Sequence, residues 1–246
     1  MLLGLVTLLA FVVEATAGFG STIVAVTLAA LFMPIEDVLA AILPVNLLLS
    51  GYLVLKYRRS VDTRLILRRV VAWMVPGMVV GMLLFTLREH AIIRTIFAVF
   101  VVGLAASELW RSRRASAVDA AALPAPVAAL SLVFAGIVHG LFACGGPMLV
   151  YVVGRELADK ARFRATLSAV WLMLNLVLVG NYVREGTLTA TSLRASGVMV
   201  VSLVVGLGIG EWVHHRLSAE RFRFAVFTLL LLAGAALFVR SLLEGA

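Results

Sequence analysis

The chain has few acidic residues, a single cysteine and very little polar sequence. Of its 246 residues only 13 are Asp or Glu, against 21 Lys or Arg, and charged residues make up 14%. Hydrophobic residues make up 63%, whereas soluble domains average roughly 45–50%. The composition therefore excludes an ordinary soluble domain, and the short polar connections leave little room for one beside a membrane part.

Several other signals are missing. The lone Cys144 excludes an intramolecular disulfide. No GxxxxGK[ST] segment is present, so the sequence contains no recognisable ATP-binding loop. No nucleophile stands at a credible spacing from a base, and no ligand cluster suggests a metal or cofactor site. The net charge of +8 is spread over short loops between apolar runs, which is typical of membrane orientation signals rather than of nucleic-acid binding. We therefore expect a protein that is not an enzyme and has no cofactor.

What the chain has in abundance is long apolar runs. Six of them approach the ~20 residues needed to span a bilayer. They cover residues 38–55, 70–87, 92–110, 165–183, 197–213 and 222–239. We expect an all-α membrane protein that crosses the bilayer several times.

The two halves of the chain align weakly with each other. Gly20-Ser21-Thr22-Ile23-Val24 corresponds to Gly146-Pro147-Met148-Leu149-Val150, and Phe97-Ala98-Val99-Phe100 to Phe224-Ala225-Val226-Phe227. The pattern predicts a first repeat over 1–110, a cytoplasmic linker over 111–126 and a second repeat over 127–246. Each repeat has a broken helical element, at 2–33 and 127–157, followed by three spanning helices.

Charge distribution favours one topology of the broken elements. If both return to the side they entered, about three quarters of the 21 Lys and Arg residues fall in cytoplasmic loops. If each crosses once, little more than half do. The positive-inside rule therefore predicts two re-entrant hairpins in inverted repeats, with the N-terminus outside the cytoplasmic membrane.

The two breaks are the candidate site. They are Gly18-Phe19-Gly20-Ser21-Thr22 and Cys144-Gly145-Gly146-Pro147. The helix after each break would start inside the membrane, where its free N–H groups and dipole suit an anion. We expect that Ser21 and Thr22 can cap the first of these helices and offer hydroxyl donors to a ligand, and that Pro147 fits the first turn of the second. Gly145 and Gly146 would let backbone approach a ligand, although close helix packing also explains such glycines.

Other polar residues at membrane depth are secondary candidates. Asn46 and Asn175 can hydrogen-bond a substrate oxygen or bridge helices. Glu14 and His139 precede the two breaks, and a titrating group there could couple transport to protons. Trp171 and Phe19 can line a pathway but are more typical of packing, as is Cys144.

The motifs around the breaks resemble a known family. Ala17-Gly18-Phe19-Gly20-Ser21-Thr22, then Leu43-Pro44-Val45-Asn46, and a second Gly-Gly-Pro opening the other half are similar to the TauE/SafE-like sulfite exporter family. Ser21 departs from it, because many relatives continue the glycine run there. The resemblance implies bacterial transport of sulfite or organosulfonates. By that resemblance the two breaks, flanked by Asn46 and Asn175, would form the substrate site.

The combined prediction is a secondary transporter of a small sulfur-containing anion, working by alternating access with substrate held between the two glycine-rich tips. Its partners would be that anion and the lipid bilayer; the sequence does not indicate an oligomeric state. A passive anion channel and an uptake permease for another small anion are the alternatives, because the same helix ends serve all three.

Overall fold

The computed structural model describes residues 2–17, 19–86, 90–113, 123–157, 159–216 and 219–244, and within them it contains helices and no strand. The first half holds α1 (Leu2–Ala17), α2 (Ser21–Ala29), α3 (Ile35–Tyr57), the short α4 (Thr63–Leu65), α5 (Val75–Thr86) and α6 (His90–Arg113). The second half holds α7 (Ala125–Phe142), α8 (Gly146–Glu156), α9 (Lys160–Arg184), α10 (Ala190–Arg216) and α11 (Ala219–Glu244). The predicted all-α class is confirmed.

Seven helical stretches of the described chain are long and apolar enough to cross a membrane. They are Ile35–Ser60, Thr63–Phe85, Ile92–Trp110, Ala125–Phe142, Ala161–Arg184, Ala190–Gly210 and Phe224–Leu243. Six of them match the six predicted spans. The stretch that connects α4 to α5, Ile66–Met74, is a π-helix, a wider turn that the sequence did not predict and that often accompanies functional sites.

Each of the two broken elements consists of a longer helix followed by a shorter one. α1 and α7 have 16 and 18 residues, whereas α2 and α8 have 9 and 11. At ~1.5 Å per residue the two shorter helices are only about 14 and 17 Å long. In each element the two helices pack against each other.

The helices group into two compact units, each of which draws on both halves of the sequence. Unit 1 comprises Met1–Leu39, Arg88–Val118 and Arg194–Ala246, and unit 2 comprises Ala40–Leu87 and Asp119–Leu193. The predicted division into repeats at 1–110 and 127–246 concerns sequence ancestry and stays a prediction.

Within unit 1, α1 packs closely against α10 through small residues. A Cβ atom on Gly206 would lie 2.8 Å from Cβ of Phe11, and one on Gly210 would lie 2.9 Å from the carbonyl oxygen of Val12. Thr16 donates a hydrogen bond to the carbonyl of Gly210 (3.2 Å). Close approach of this kind is how membrane helices gain packing without a hydrophobic driving force. It fixes the helix that leads into the first break.

Within unit 2, α5 and α7 interlock through four glycines. A Cβ atom on Gly77 or Gly81 would overlap a backbone carbonyl of α7, and one on Gly136 or Gly140 would overlap a carbonyl at Met74 or Met78. The two GxxxG pairs therefore face each other with backbone against backbone. This contact fixes α7, the helix that leads into the second break.

One end of unit 2 is tied together by polar contacts. The Arg162 guanidinium donates to Oδ2 of Asp62 (2.9 Å), and the backbone N–H of Asp62 donates to Oγ1 of Thr166 (2.9 Å). Arg69 pairs with Glu156, with 3.3 Å between Nε and Oε1. The loop after α3 therefore lies beside the start of α9.

Candidate functional site

The first break turns at a glycine in a left-handed conformation. Gly20 has φ 109° and ψ 0° and is the N-cap residue of α2. L-amino acids with a side chain rarely adopt such a φ. A Cβ atom there would be no closer than 3.7 Å to a neighbouring side chain, Cγ1 of Val13. The backbone conformation, and not crowding, therefore requires glycine at this position.

The start of α2 is capped by a carboxylate, contrary to our expectation for Ser21 and Thr22. Since the N-cap position is Gly20, neither hydroxyl residue caps the helix. Instead the backbone N–H of Ser21 donates to Oε2 of Glu14 (3.2 Å). A negative charge is stabilised at a helix N-terminus. The N-terminus of α2, which we predicted to bind an anion, therefore binds the carboxylate of Glu14 in this structure.

The second break turns at Ala143 and not at a glycine. Ala143 ends α7 in the left-handed region (φ 53°), with its N–H bonded to the carbonyl of His139 (2.7 Å). Gly145 is the N-cap residue of α8, and Pro147 lies in the first turn, as predicted. A positive φ on a residue with a Cβ is uncommon and is held by its surroundings.

Gly145 is required by packing against the preceding helix. A Cβ atom on it would overlap the carbonyl oxygen of Ala135 and lie 3.0 Å from both Cβ of His139 and Cε of Met74. Close packing, the alternative that the sequence left open, accounts for this glycine. The same contact places the N-terminus of α8 directly beside His139.

His139, Trp171 and Asn175 form a buried polar cluster in unit 2. The rings of His139 and Trp171 stack with centroids 5.7 Å apart and an interplanar angle of 21°. Asn175, one turn after Trp171 on α9, interacts with the imidazole. This contact does not reach hydrogen-bond geometry, so both ring nitrogens of His139 and Oδ1 of Asn175 are left without a hydrogen bond, although the two residues are only 1% and 4% exposed. The structure thus joins two predicted candidates with a tryptophan that sequence reasoning favoured as packing.

The remaining candidates are placed as follows. Asn46 is buried on α3 and Cys144 is buried at the second break. Phe19, Thr22, Gly146 and Pro147 are half-buried, and Gly18 lies outside the described residues. No group of three or more His, Cys, Asp or Glu suited to a metal ion occurs within the described part of the chain.

The sequence also matches a known protein family over most of its length. A family model described as "Sulfite exporter TauE/SafE" matches residues 3–237. The chain belongs to the TauE/SafE family. Comparisons with curated proteins and with solved structures gave no significant match.

Membership of the TauE/SafE family agrees with the helical structure. The match includes every candidate residue named above and all seven stretches capable of spanning a membrane except for the last residues of α11. The protein is therefore a multi-pass membrane transporter, and its family points to a small anion as the substrate.

Sequence reasoning missed the contacts that position these residues. The spacings Gly77-x-x-x-Gly81, Gly136-x-x-x-Gly140 and Gly206-x-x-x-Gly210 were visible and are typical of close helix pairs in membranes. They would have indicated which helices support α1 and α7. No local signal indicated that Ala143 would take the left-handed conformation.

Proposed function

We propose that this protein is a secondary transporter that exports a small sulfur-containing anion, sulfite or an organosulfonate such as sulfoacetate, across the bacterial cytoplasmic membrane by alternating access. The observation that carries the proposal is the buried cluster of His139 and Asn175 beside the N-terminus of α8. Buried polar atoms without partners are rare in apolar protein interiors and are characteristic of ligand sites. The helix end supplies partial positive charge for the anion.

We further propose that both broken elements are re-entrant hairpins. Helices as short as α2 and α8 do not cross a ~30 Å hydrocarbon core. In the first element Gly20 lies near Val13, and Ser21 contacts Glu14, which supports a reversal of the chain there.

Two contacts, one inside each unit, support the inverted topology. In unit 2, Asp62 pairs with Arg162, so the loops that contain them lie at the same end. In unit 1, the Arg240 side chain donates to the carbonyl of Leu31. Both contacts join segments that the returning-hairpin topology places on one side of the membrane. If each element crossed once, both pairs would lie on opposite sides.

A labelling experiment tests this topology. Cys144 is the only cysteine and is buried, so single cysteines introduced by Arg64→Cys, Arg164→Cys and Arg184→Cys can be labelled with a membrane-impermeant thiol reagent. We expect positions 64 and 164 to react from the cytoplasmic side and position 184 from the outside. Labelling of positions 64 and 184 from one side and 164 from the other would contradict the re-entrant model.

Proton coupling through Glu14 or His139 belongs to the same proposal. Glu14 holds the N-terminus of α2 and His139 lies beside that of α8. A proton taken up by Glu14 would remove the negative charge from the helix end and leave it open to a substrate anion.

The proposed function predicts carrier behaviour in liposomes. We expect radiolabelled sulfite to leave proteoliposomes at a saturable rate, and unlabelled sulfite outside to accelerate that efflux by exchange. Exchange acceleration requires a site that alternates between the two sides, so a channel would show none. Efflux without saturation or exchange would favour the channel, and no movement of sulfite, taurine or sulfoacetate would contradict the substrate assignment. A change in the efflux rate when a pH gradient is imposed would indicate that transport is coupled to protons.

A further inference from the structure

Three buried polar atoms define what the cluster in unit 2 is equipped to bind. They are Nδ1 and Nε2 of His139 and Oδ1 of Asn175, which interact with each other but reach no partner at hydrogen-bond geometry. Leaving such an atom unsatisfied costs about 1–3 kcal/mol. A ligand that satisfied all three would therefore gain affinity over one that did not.

These atoms include hydrogen-bond acceptors as well as a donor. A neutral imidazole has one N–H donor and one nitrogen acceptor, and an amide oxygen accepts. With the Asn175 amide oriented as it is in this structure, its oxygen adds a second acceptor and does not satisfy the imidazole acceptor. An anion whose oxygens only accept hydrogen bonds, such as sulfate or an alkanesulfonate, would leave this acceptor unpaired.

The stacked Trp171 restricts where the ligand can lie. With its face against the indole, the imidazole presents its nitrogens only at the ring edge. Cβ of His139 also lies beside Gly145, the N-cap residue of α8, so the helix end with its free N–H groups begins next to this residue. Acceptor oxygens and a donor hydrogen of one small ligand can therefore be recognised together.

We infer that this cluster selects a sulfur oxyanion that itself carries a hydroxyl group, such as a hydroxyalkanesulfonate or the hydroxyl form of hydrogensulfite. The inference rests on the proposed function and deepens it. The ligand hydroxyl donates to the free imidazole nitrogen or to Oδ1 of Asn175. The sulfonate oxygens accept from the imidazole N–H and from the N-terminus of α8.

A pair of matched ligands tests the inference. Isethionate and ethanesulfonate have the same charge and differ by one hydroxyl group, and both stay ionised over the working pH range. We expect purified protein to bind isethionate at least about tenfold more tightly, because a site built to hydrogen-bond a hydroxyl rejects the analogue that lacks it. Calorimetric titration in detergent measures both affinities.

Variants assign the preference to the cluster. His139→Phe keeps a ring for stacking on Trp171, and Asn175→Leu keeps the side-chain size, but each removes polar atoms. We expect each to reduce the preference to within about twofold, since the hydroxyl loses its partner. Asn181→Leu, two turns further along α9 where the amide oxygen accepts from Arg184, is the matched control and should keep the preference. If His139→Phe does not fold, Asn175→Leu alone carries this test.

The outcomes separate this inference from the proposed function. Equal binding of the two sulfonates by the wild-type protein would overturn the inference and leave anion transport standing. Ethanesulfonate binding that strengthens at low pH, and loses that dependence in His139→Phe, would place the proton on the imidazole and also overturn it. Binding of neither sulfonate, nor of sulfite, would overturn the proposed function as well.

Discussion

We expect the Gly136→Leu variant to accumulate as folded protein at only a small fraction of the wild-type yield. Even a methyl group at this position would overlap the carbonyl oxygen of Met74 and lie 2.8 Å from the backbone nitrogen of Met78. Backbone atoms cannot rotate away as a side chain can, so α7 and the helix opposite must separate. Separation also breaks the contacts of Gly140 one turn later.

The expected loss is a large share of the total stability. Overpacking commonly costs about 1–3 kcal/mol when side chains can adjust, and here the obstacle is backbone, so we expect at least about 3 kcal/mol. Whole domains are stable by only about 5–15 kcal/mol. Thermal unfolding and size-exclusion chromatography in detergent measure the effect, with Gly136→Ala giving an intermediate result.

Gly180→Leu is the matched control for this variant. Gly180 lies on α9 in the same unit, and a Cβ atom there would meet nothing within 4 Å. Because leucine is favourable in a helix that faces lipid, we expect wild-type yield and unfolding temperature. A Gly136→Leu protein that behaved like Gly180→Leu would show that α5 and α7 do not approach as closely as the structure indicates.

The Gly20→Val variant should stay in the membrane but lose at least about nine tenths of its transport rate. Valine is a strong outlier at a positive φ, and forcing it there costs about 1–3 kcal/mol. The chain can avoid this cost only by changing φ, which turns the N-terminus of α2 away from Glu14. A tenfold loss of rate corresponds to about 1.4 kcal/mol, so strain of this size is large enough to produce the expected loss of transport. Initial sulfite efflux per folded protein is the measurement.

Two further variants distinguish backbone conformation from side-chain bulk. Gly20→Asn should retain more transport than Gly20→Val, because asparagine tolerates a positive φ. Gly208→Val adds the same bulk to α10 of unit 1 at an ordinary helical position, where a Cβ atom meets nothing within 4 Å, and should transport normally. Wild-type efflux by Gly20→Val would remove the first break from the transport mechanism.

Most residues of the candidate site could be predicted from the sequence, but their hydrogen-bond partners could not. The breaks interrupt apolar runs, so both were visible, and Pro147 lies in the first turn of α8 as its chemistry requires. The capping of α2 was predicted wrongly. Its acceptor is Glu14, seven residues before Ser21, and such a contact exists only once the chain has reversed direction.

The same distinction applies to the polar residues at membrane depth. Asn175 and His139 stood out because polar groups are costly in lipid. That they lie together, with His139 stacked on Trp171 and beside Gly145, depends on contacts between α7, α8 and α9. Trp171 could not be distinguished from a packing residue, because an indole fills space equally well in either role.

By itself, the sequence determined six of the seven apolar stretches long enough to span a membrane, the membrane setting, the positions of the two breaks and the family. Each of these depends on composition or on short local patterns, since a spanning helix satisfies its own backbone. Only the tertiary structure decided that each unit draws helices from both halves, that a carboxylate occupies the start of α2 and that His139 and Asn175 form one buried cluster. These features depend on contacts between residues that are distant in the chain. Such contacts form where glycine-lined helix faces pack closely, and no local sequence pattern encodes them.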